Sequence, residues 1–322
     1  MTGALTVNRM LAVLLGLFLG CSSTVLAQAP ASTEPASKEP IAPVDAKATR
    51  ETIAKLNPYV TLLNRTMRAS DSIARYESWV NMNTGPTGKE RIVYGLYSLY
   101  DVRDEIDKAK AAVAAPPTMP ALDAAIPDYI MAYETLAPIV TEADGYYSRK
   151  DYADDKMAGG KELHARLAPA IAAFRKERAR VDALLGIEKA KADAAELALI
   201  EQTEGKKARW QVANVMLRAR QAVGLFPSQN KPVIDLPAFE AAVLSFAAAV
   251  KEMDAYSAAN PGSFFVFESR PRDFLGKLRT FRDKLQKSKG DARKGAGRDL
   301  EWLIRDYNMM VSTSRDATRF AK

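Results

Sequence analysis

The chain lacks most of the residues on which covalent or metal chemistry is built. Among 322 residues there is one cysteine, Cys21, and one histidine, His164. A single cysteine excludes an intramolecular disulfide in any redox compartment, so the core must come from packing alone. No Gly-x-Ser-x-Gly elbow occurs, and no second histidine is left to pair with a serine. His164 sits among Lys161, Glu162 and Arg166. Together with Asp154, Asp155 and Glu162 it makes no recognisable zinc or iron spacing, because these groups would have to converge from different turns. It reads as a helix-surface or inter-helix hydrogen-bonding residue. No cofactor motif is present, and nothing points to a carboxylate-only glycosidase.

Strand signals are also scarce. Only Phe264-Phe265-Val266-Phe267 has the β-branched and aromatic density of a strand, and it is short. Acid is missing from residues 1–20, which carry only Arg9 as a charge. Without them the formal charge falls from +7 to +6. Arg270 to Arg298 hold eleven Lys/Arg against three Asp, an excess of +8 that leaves the remaining mature chain at −2. The basicity belongs to one segment.

What is present begins with an export signal. Arg9 precedes an apolar run from Met10 to Leu19, followed by small residues, in the order of a signal peptide. The run is shorter than the roughly 20 apolar residues a spanning helix needs. Two cleavage points fit. Leu17-Phe18-Leu19-Gly20-Cys21 resembles a lipobox, which would make residues 1–20 the signal and Cys21 the lipidated residue, and Ser22 looks like the residue that permits outer-membrane sorting. Phe18 departs from the leucine usual at its position. Val25-Leu26-Ala27 resembles an ordinary signal-peptidase site, with cleavage after 27. Residues 21–47 are rich in Ala, Pro, Ser and Thr, with prolines at 30, 35, 40 and 43, and read as a tether.

From residue 48 to 322 helical periodicity dominates. Ile53, Leu56, Val60, Leu63 and Met67 form one apolar stripe, and Phe239, Val243, Phe246, Val250 and Met253 form another. A third, Leu163, Leu167, Ile171, Phe174, Val181 and Leu185, lies in a stretch from Asp154 to Leu225 long enough for two helices or one bent near Gly186. Turn residues at 83–88, 116–120, 150–155, 227–237, 260–271 and 290–297 leave seven or eight helices. The expected fold is all-α, an elongated bundle of antiparallel helices in one lobe or in two that meet near Gly224 to Pro237.

The run Tyr146-Tyr147-Ser148-Arg149-Lys150-Asp151-Tyr152-Ala153-Asp154-Asp155, leading into Gly160-Lys161-Glu162-Leu163-His164, resembles the signature of the YiiG-like family of bacterial envelope proteins, many of them lipoproteins. Asn81 to Tyr97, with Gly85-Pro86-Thr87-Gly88-Lys89-Glu90, is compatible with it. The resemblance covers about half of the mature chain. It implies an all-helical fold and an envelope location, and no catalytic residues.

Gly85 to Glu90 lacks the earlier glycine and the following Ser or Thr of a phosphate loop, so it reads as a turn with Glu90 opening the next helix. Ten of the twelve tyrosines fall between Tyr59 and Tyr152. Tyr94, Tyr97 and Tyr100 are spaced to share a helical face, as are Tyr129 and Tyr133. They serve either bundle packing or an aromatic groove for a sugar, peptide or partner helix, with Tyr146, Tyr147 and Tyr152 at its mouth. In the basic segment Leu275, Leu278, Phe281 and Leu285 form a stripe, while Lys277, Arg279, Arg282, Lys284, Lys287 and Lys289 occupy the rest of the helix. That face is either simply solvated or a site for anionic lipid or another acidic envelope polymer. No aromatic platform or groove-reading motif suggests nucleic acid.

The sequence therefore predicts a non-enzymatic, lipid-anchored envelope protein that binds or scaffolds an envelope protein or anionic polymer. It would lie on the periplasmic face of the outer membrane if Cys21 is lipidated, and in the periplasm or outside the cell otherwise. The alternative is a periplasmic ligand-binding protein that uses the tyrosine-rich half.

Overall fold

Asp45 starts the first helix: its carboxylate accepts from the amides of Lys47 at 2.8 Å and Ala48 at 3.2 Å, satisfying donors that a helix N-terminus leaves open. The computed structural model describes residues 44–227, 232–294 and 296–320. The export signal, Cys21 and the tether up to residue 43 lie outside the described residues. Within them the elements are α1 (Ala46–Glu77), α2 (Arg103–Ala114), α3 (Pro120–Arg149), α4 (Ala158–Glu204), α5 (Ala208–Val223), α6 (Leu236–Ala259), α7 (Ser269–Lys287) and α8 (Gly297–Phe320). Among the described residues there is no strand, only an isolated bridge between Val233 and Asp291. The all-α expectation holds.

The helices form two up-and-down bundles with separate cores. The first core gathers residues from Leu56 to Ala192, the second from Ala208 to Ala317. In the first bundle, α3 and α4 run antiparallel, as the ion pairs Glu142–Arg166 and Asp128–Arg180 record. α1 lies antiparallel to α4, with Tyr76 against His164 at one end and Leu63 against Arg178 further along. In the second, Arg272–Asp254 and Gln286–Glu240 set α7 against α6, and Lys277–Asp306 and Lys284–Asp299 set α8 against α7.

The 47 residues of α4 link the two. Its N-terminal half packs on α3. Beyond Lys189 it packs on α5, which folds back antiparallel after Gly205, through Asp193–Arg220 and Glu204–Arg209. The cores therefore divide at Gly205 and not at Gly224 to Pro237, which is the α5–α6 connection inside the second bundle. Gly186 lies within an unbroken helix, and the break falls instead at Gly205, whose φ of +74° favours glycine.

The Asp193 joint is polar. Lys189 contacts Asp193 at 3.2 Å, and burial, aided by Arg220, lowers its pKa to about 8. Burial also raises the Glu196 carboxyl, with Asp193 adding to the effect.

Two local expectations fail. Phe265–Phe267 forms a single 3-10 turn, because Phe264 and Phe267 are both buried while Phe265 and Val266 point outward, a pattern of period three and not two. Helix does not resume at Glu90. Residues 78–102 contain no helix, so the second descending element of the first bundle is an irregular segment followed by the 12-residue α2.

Candidate functional site

That irregular segment ends in an extended strap, residues 91–102, laid antiparallel along α1. Side chains along one face of α1, and Trp79 just beyond its C-terminus, hold the strap's backbone. Trp79 Nε1 donates to Gly95 O at 3.1 Å, Arg75 Nε to Tyr94 O at 2.8 Å and Arg68 Nε to Ser98 O at 3.1 Å. Ser72 Oγ accepts from Tyr97 N and donates to Tyr97 O, both at 3.0 Å. The α1 positions Arg68, Ser72 and Arg75 are spaced by four and three, as one helix face requires. Polar side chains thus replace the hydrogen bonds that a helix would have made internally.

Extended backbone changes what the tyrosines do. Exposure along the strap follows neither a period of three nor a strict alternation, because Gly95 at φ +66° interrupts the extended run. Ile92, Tyr94 and Tyr100 are exposed, while Leu96 and Val102 are buried beneath. Arginines of α1 stack on the rings: the Arg68 guanidinium lies 4.2 Å and that of Arg75 4.4 Å from the Tyr97 centroid, and that of Arg65 lies 5.0 Å from Tyr100. Arg65 also pairs with Glu105 at 3.2 Å. The result is an outward ridge of Tyr94, Tyr97 and Tyr100 interleaved with Arg65, Arg68 and Arg75. The tyrosine spacing was visible in the sequence. The arginines were missed, although their recurrence along α1 at 65, 68 and 75 was the available signal.

Tyr146 and Tyr147 take a different place. Both are buried at the α3 C-terminus, their rings 4.9 Å apart, and Tyr147 meets the Trp79 ring edge-on at 5.0 Å. Tyr152 is half-buried, 6.2 Å from Tyr147. The Tyr146 hydroxyl donates to Asp155 Oδ1 at 2.8 Å, and burial with that carboxylate raises its pKa to about 12. Tyr147 lies directly under the strap, where a Cβ on Gly95 would come within 3.3 Å of it. Tyr147 therefore packs beneath the strap, with Tyr146 buried beside it and Tyr152 half-buried against it.

His164 completes this end of the bundle. Its Nδ1 lies 3.1 Å from the Tyr76 hydroxyl, an inter-helix contact as expected. Gly85, at φ +74°, passes so close that a Cβ there would lie 2.7 Å from the imidazole. Glu90 holds the next turn shut, accepting from Thr87 N and Gly88 N, the latter at 2.8 Å. Burial alone would raise its pKa, but these bonds outweigh it and lower the carboxyl. Asp155 caps Gly159 N at 2.9 Å in the same way.

The basic helix is α7, and its stripe Leu275, Leu278, Phe281 and Leu285 is buried as expected. Its cations are largely paired. Lys277 binds Asp306, Lys284 binds Asp299 at 2.7 Å, and Arg282 binds the neighbouring Asp283 at 2.8 Å. Arg279 and Lys287 are exposed. Two cations of the local excess are thus paired with acids of α8, Asp299 and Asp306, which the linear count from 270 to 298 left out.

Among the described residues no three His, Cys, Asp or Glu side chains converge on a common point, and no helix is long and apolar enough to cross a membrane. The fold and site together define an all-helical double-bundle protein with a Tyr–Arg ridge on its first helix. The sequence model of a family described as "Protein of unknown function (DUF3829)" matches residues 50–316, from the first turns of α1 to the last turns of α8. The chain belongs to that family. It is 30% identical over 312 residues to the "Uncharacterized protein YiiG" of Escherichia coli (strain K12), covering 88% of this chain and 87% of that protein. No solved structure matches it. The segments that carry the YiiG-like resemblance, Asn81–Tyr97 and Tyr146–His164, meet in space as one packed end of the first bundle.

Proposed function

We propose that this chain is an exported, lipid-anchored envelope protein whose helical domain binds a partner protein through the Tyr–Arg ridge of its first bundle. The carrying observation is the strap. A long loop fixed by four side-chain hydrogen bonds from α1 and a fifth from Trp79 presents Tyr94 and Tyr100 to solvent with Arg65, Arg68 and Arg75 stacked among them. Tyrosine and arginine are the residue types that concentrate binding energy at protein interfaces, and rings held in place lose little entropy on binding. The address rests on the signal-like residues 1–20 and on Cys21.

The test is cross-linking and co-purification of the full-length protein from its native envelope, beside a Tyr94→Ala/Tyr100→Ala variant. Both rings are exposed, so folding should be unchanged by circular dichroism. The variant is expected to lose a partner that Lys277→Glu/Lys284→Glu retains. Equal recovery in all three would sink the ridge as the binding surface. The mass of the mature N-terminal peptide tests the address: an acylated Cys21 supports it, and an unmodified chain starting at Gln28 overturns it.

A further inference from the structure

α8 carries different chemistry on its inner and outer faces. Leu300, Leu303, Met310 and Ala317 are buried in the core of the second bundle, and along the edge facing α7 the acids Asp299 and Asp306 pair with Lys284 and Lys277. On the outer face Trp302, Arg305, Met309, Ser312 and Asp316 are all exposed and step by 3, 4, 3 and 4. That spacing keeps an unbroken seam on one side of a helix, as a facing helix requires.

The seam holds side chains that gain from leaving water. Trp302 is 52% and Met309 37% exposed, and among the described helices only α8 exposes two large apolar side chains. The Arg305 guanidinium lies 3.9 Å from the Trp302 ring centroid and stacks on the indole. Tryptophan, methionine and arginine are enriched at protein interfaces, and tryptophan and arginine carry much of the binding energy there.

Charge decides which helix fits. Arg305 and Asp316 have opposite sign and stand three turns apart, about 16 Å at 1.5 Å per residue, with Met309 and Ser312 between them. A second α8 laid antiparallel across that midpoint presents the same pattern reversed, so Arg305 of each copy faces Asp316 of the other and Met309 faces Ser312. A parallel pairing would set Arg305 against Arg305 and Asp316 against Asp316. The face therefore complements itself in the antiparallel orientation, as a two-fold contact between identical chains demands.

We infer that two copies of this protein associate through the outer face of α8, antiparallel, with Met309 at the centre, an Arg305–Asp316 ion pair on either side of it, and each Trp302 closing on the last turn of the facing helix. The Tyr–Arg ridge belongs to the other bundle and stays open to the partner proposed above, so neither reading depends on the other.

The experiment co-expresses two differently tagged copies of the full-length protein in its native envelope, cross-links them there with a short lysine-reactive reagent, and measures how much of the second copy is captured with the first. Two unaltered copies should capture each other. Arg305→Glu paired with itself sets two glutamates against Asp316, and Asp316→Arg paired with itself sets two arginines against Arg305, so each should lower capture about tenfold or more. Arg305→Glu co-expressed with Asp316→Arg restores an opposite pair at both places and should return capture close to that of the unaltered chains. Both side chains are exposed, so circular dichroism of either variant should be unchanged, and a folding defect in either would persist in the mixed pair. Unaltered copies that fail to capture each other, single variants captured as well as the unaltered chain, or a mixed pair no better than the single variants would each overturn the contact.

Discussion

The two bundles reach a packed core by different chemistry. The second uses phenylalanine: Phe239, Phe246, Phe264, Phe267, Phe274 and Phe281 are all fully buried, in edge contacts such as Phe239–Phe281 at 5.9 Å and Phe246–Phe274 at 5.6 Å. The first uses tyrosine, and most of its buried hydroxyls find a partner. Tyr59 donates to Asp123 at 2.9 Å, Tyr129 meets Thr66 at 2.5 Å, and Tyr76 meets His164. An apolar ring can be packed wherever there is volume, whereas a buried hydroxyl also specifies which side chain stands opposite. The first bundle needs that specification more, because an irregular segment replaces part of its second helix and must be held in one register. Polar cores serve here to position chain that has no secondary structure of its own.

The largest difference should appear in alkali. Burial, the leading cause in each case, raises Tyr76, Tyr133 and Tyr146 from 10.0 to about 12. A group whose folded pKa is raised stabilises the fold below its unfolded pKa and loses that contribution as pH climbs from 10 to 12, at about 1.4 kcal/mol per pH unit for each tyrosine. Urea unfolding followed by Trp79 in the first bundle and Trp302 in the second should therefore coincide near neutrality and separate above pH 10, the first bundle melting earlier. Coincident transitions throughout would dissolve the comparison. Next in size, Phe281→Ala removes a ring that touches both Phe226 and Phe239 and should cost about 3–5 kcal/mol, seen first by Trp302.

The fold was legible where periodicity rules and illegible where contacts between distant segments do. The stripes of α1, α6 and α7 mark their buried faces because burial of one helix face forces a spacing of three and four. The same spacing misled at Tyr94, Tyr97 and Tyr100, since nothing local announces that Arg68, Ser72, Arg75 and Trp79 will hold that stretch extended. Two glycines were the available clue: Gly85 and Gly95 both have positive φ, Gly85 beneath His164 and Gly95 above Tyr147, and neither suits a helix. The charge count from Arg270 to Arg298 was correct yet incomplete, because Asp306 of α8 lies outside that window and within reach of Lys277. The joint at Gly205 was hidden for a similar reason, as one helix serving two cores reads as a single stretch.

Lys55→Met probes the polar logic at the other end of α1. Lys55 Nζ donates to Asp123 at 2.8 Å and Ala115 O at 2.7 Å, fixing the α2–α3 turn with almost no exposure. Removing it should cost about 3–5 kcal/mol, since Asp123 is left as a largely buried charge, and Lys55→Met/Asp123→Leu should recover much of the loss. A double variant no better than the single would mean that the turn, not the charge, dominates.

Tyr129→Phe should have the smallest effect, and the reason separates a network from a sum of pairs. The hydroxyl contacts Thr66 Oγ1 and, at 3.3 Å, Arg178. Both partners keep another acceptor without it: Thr66 still donates to Leu62 O at 2.7 Å, and Arg178 still donates to Leu63 O at 3.1 Å and lies 3.5 Å from Asp182. With neither left unpaired, the loss should be that of one ordinary hydrogen bond, about 1 kcal/mol in urea unfolding read by Trp79. A loss above about 3 kcal/mol would show that Thr66, Tyr129 and Arg178 act cooperatively in the low-dielectric core. The tyrosines of the first bundle would then hold it together as a connected unit, for which the phenylalanine core of the second has no counterpart.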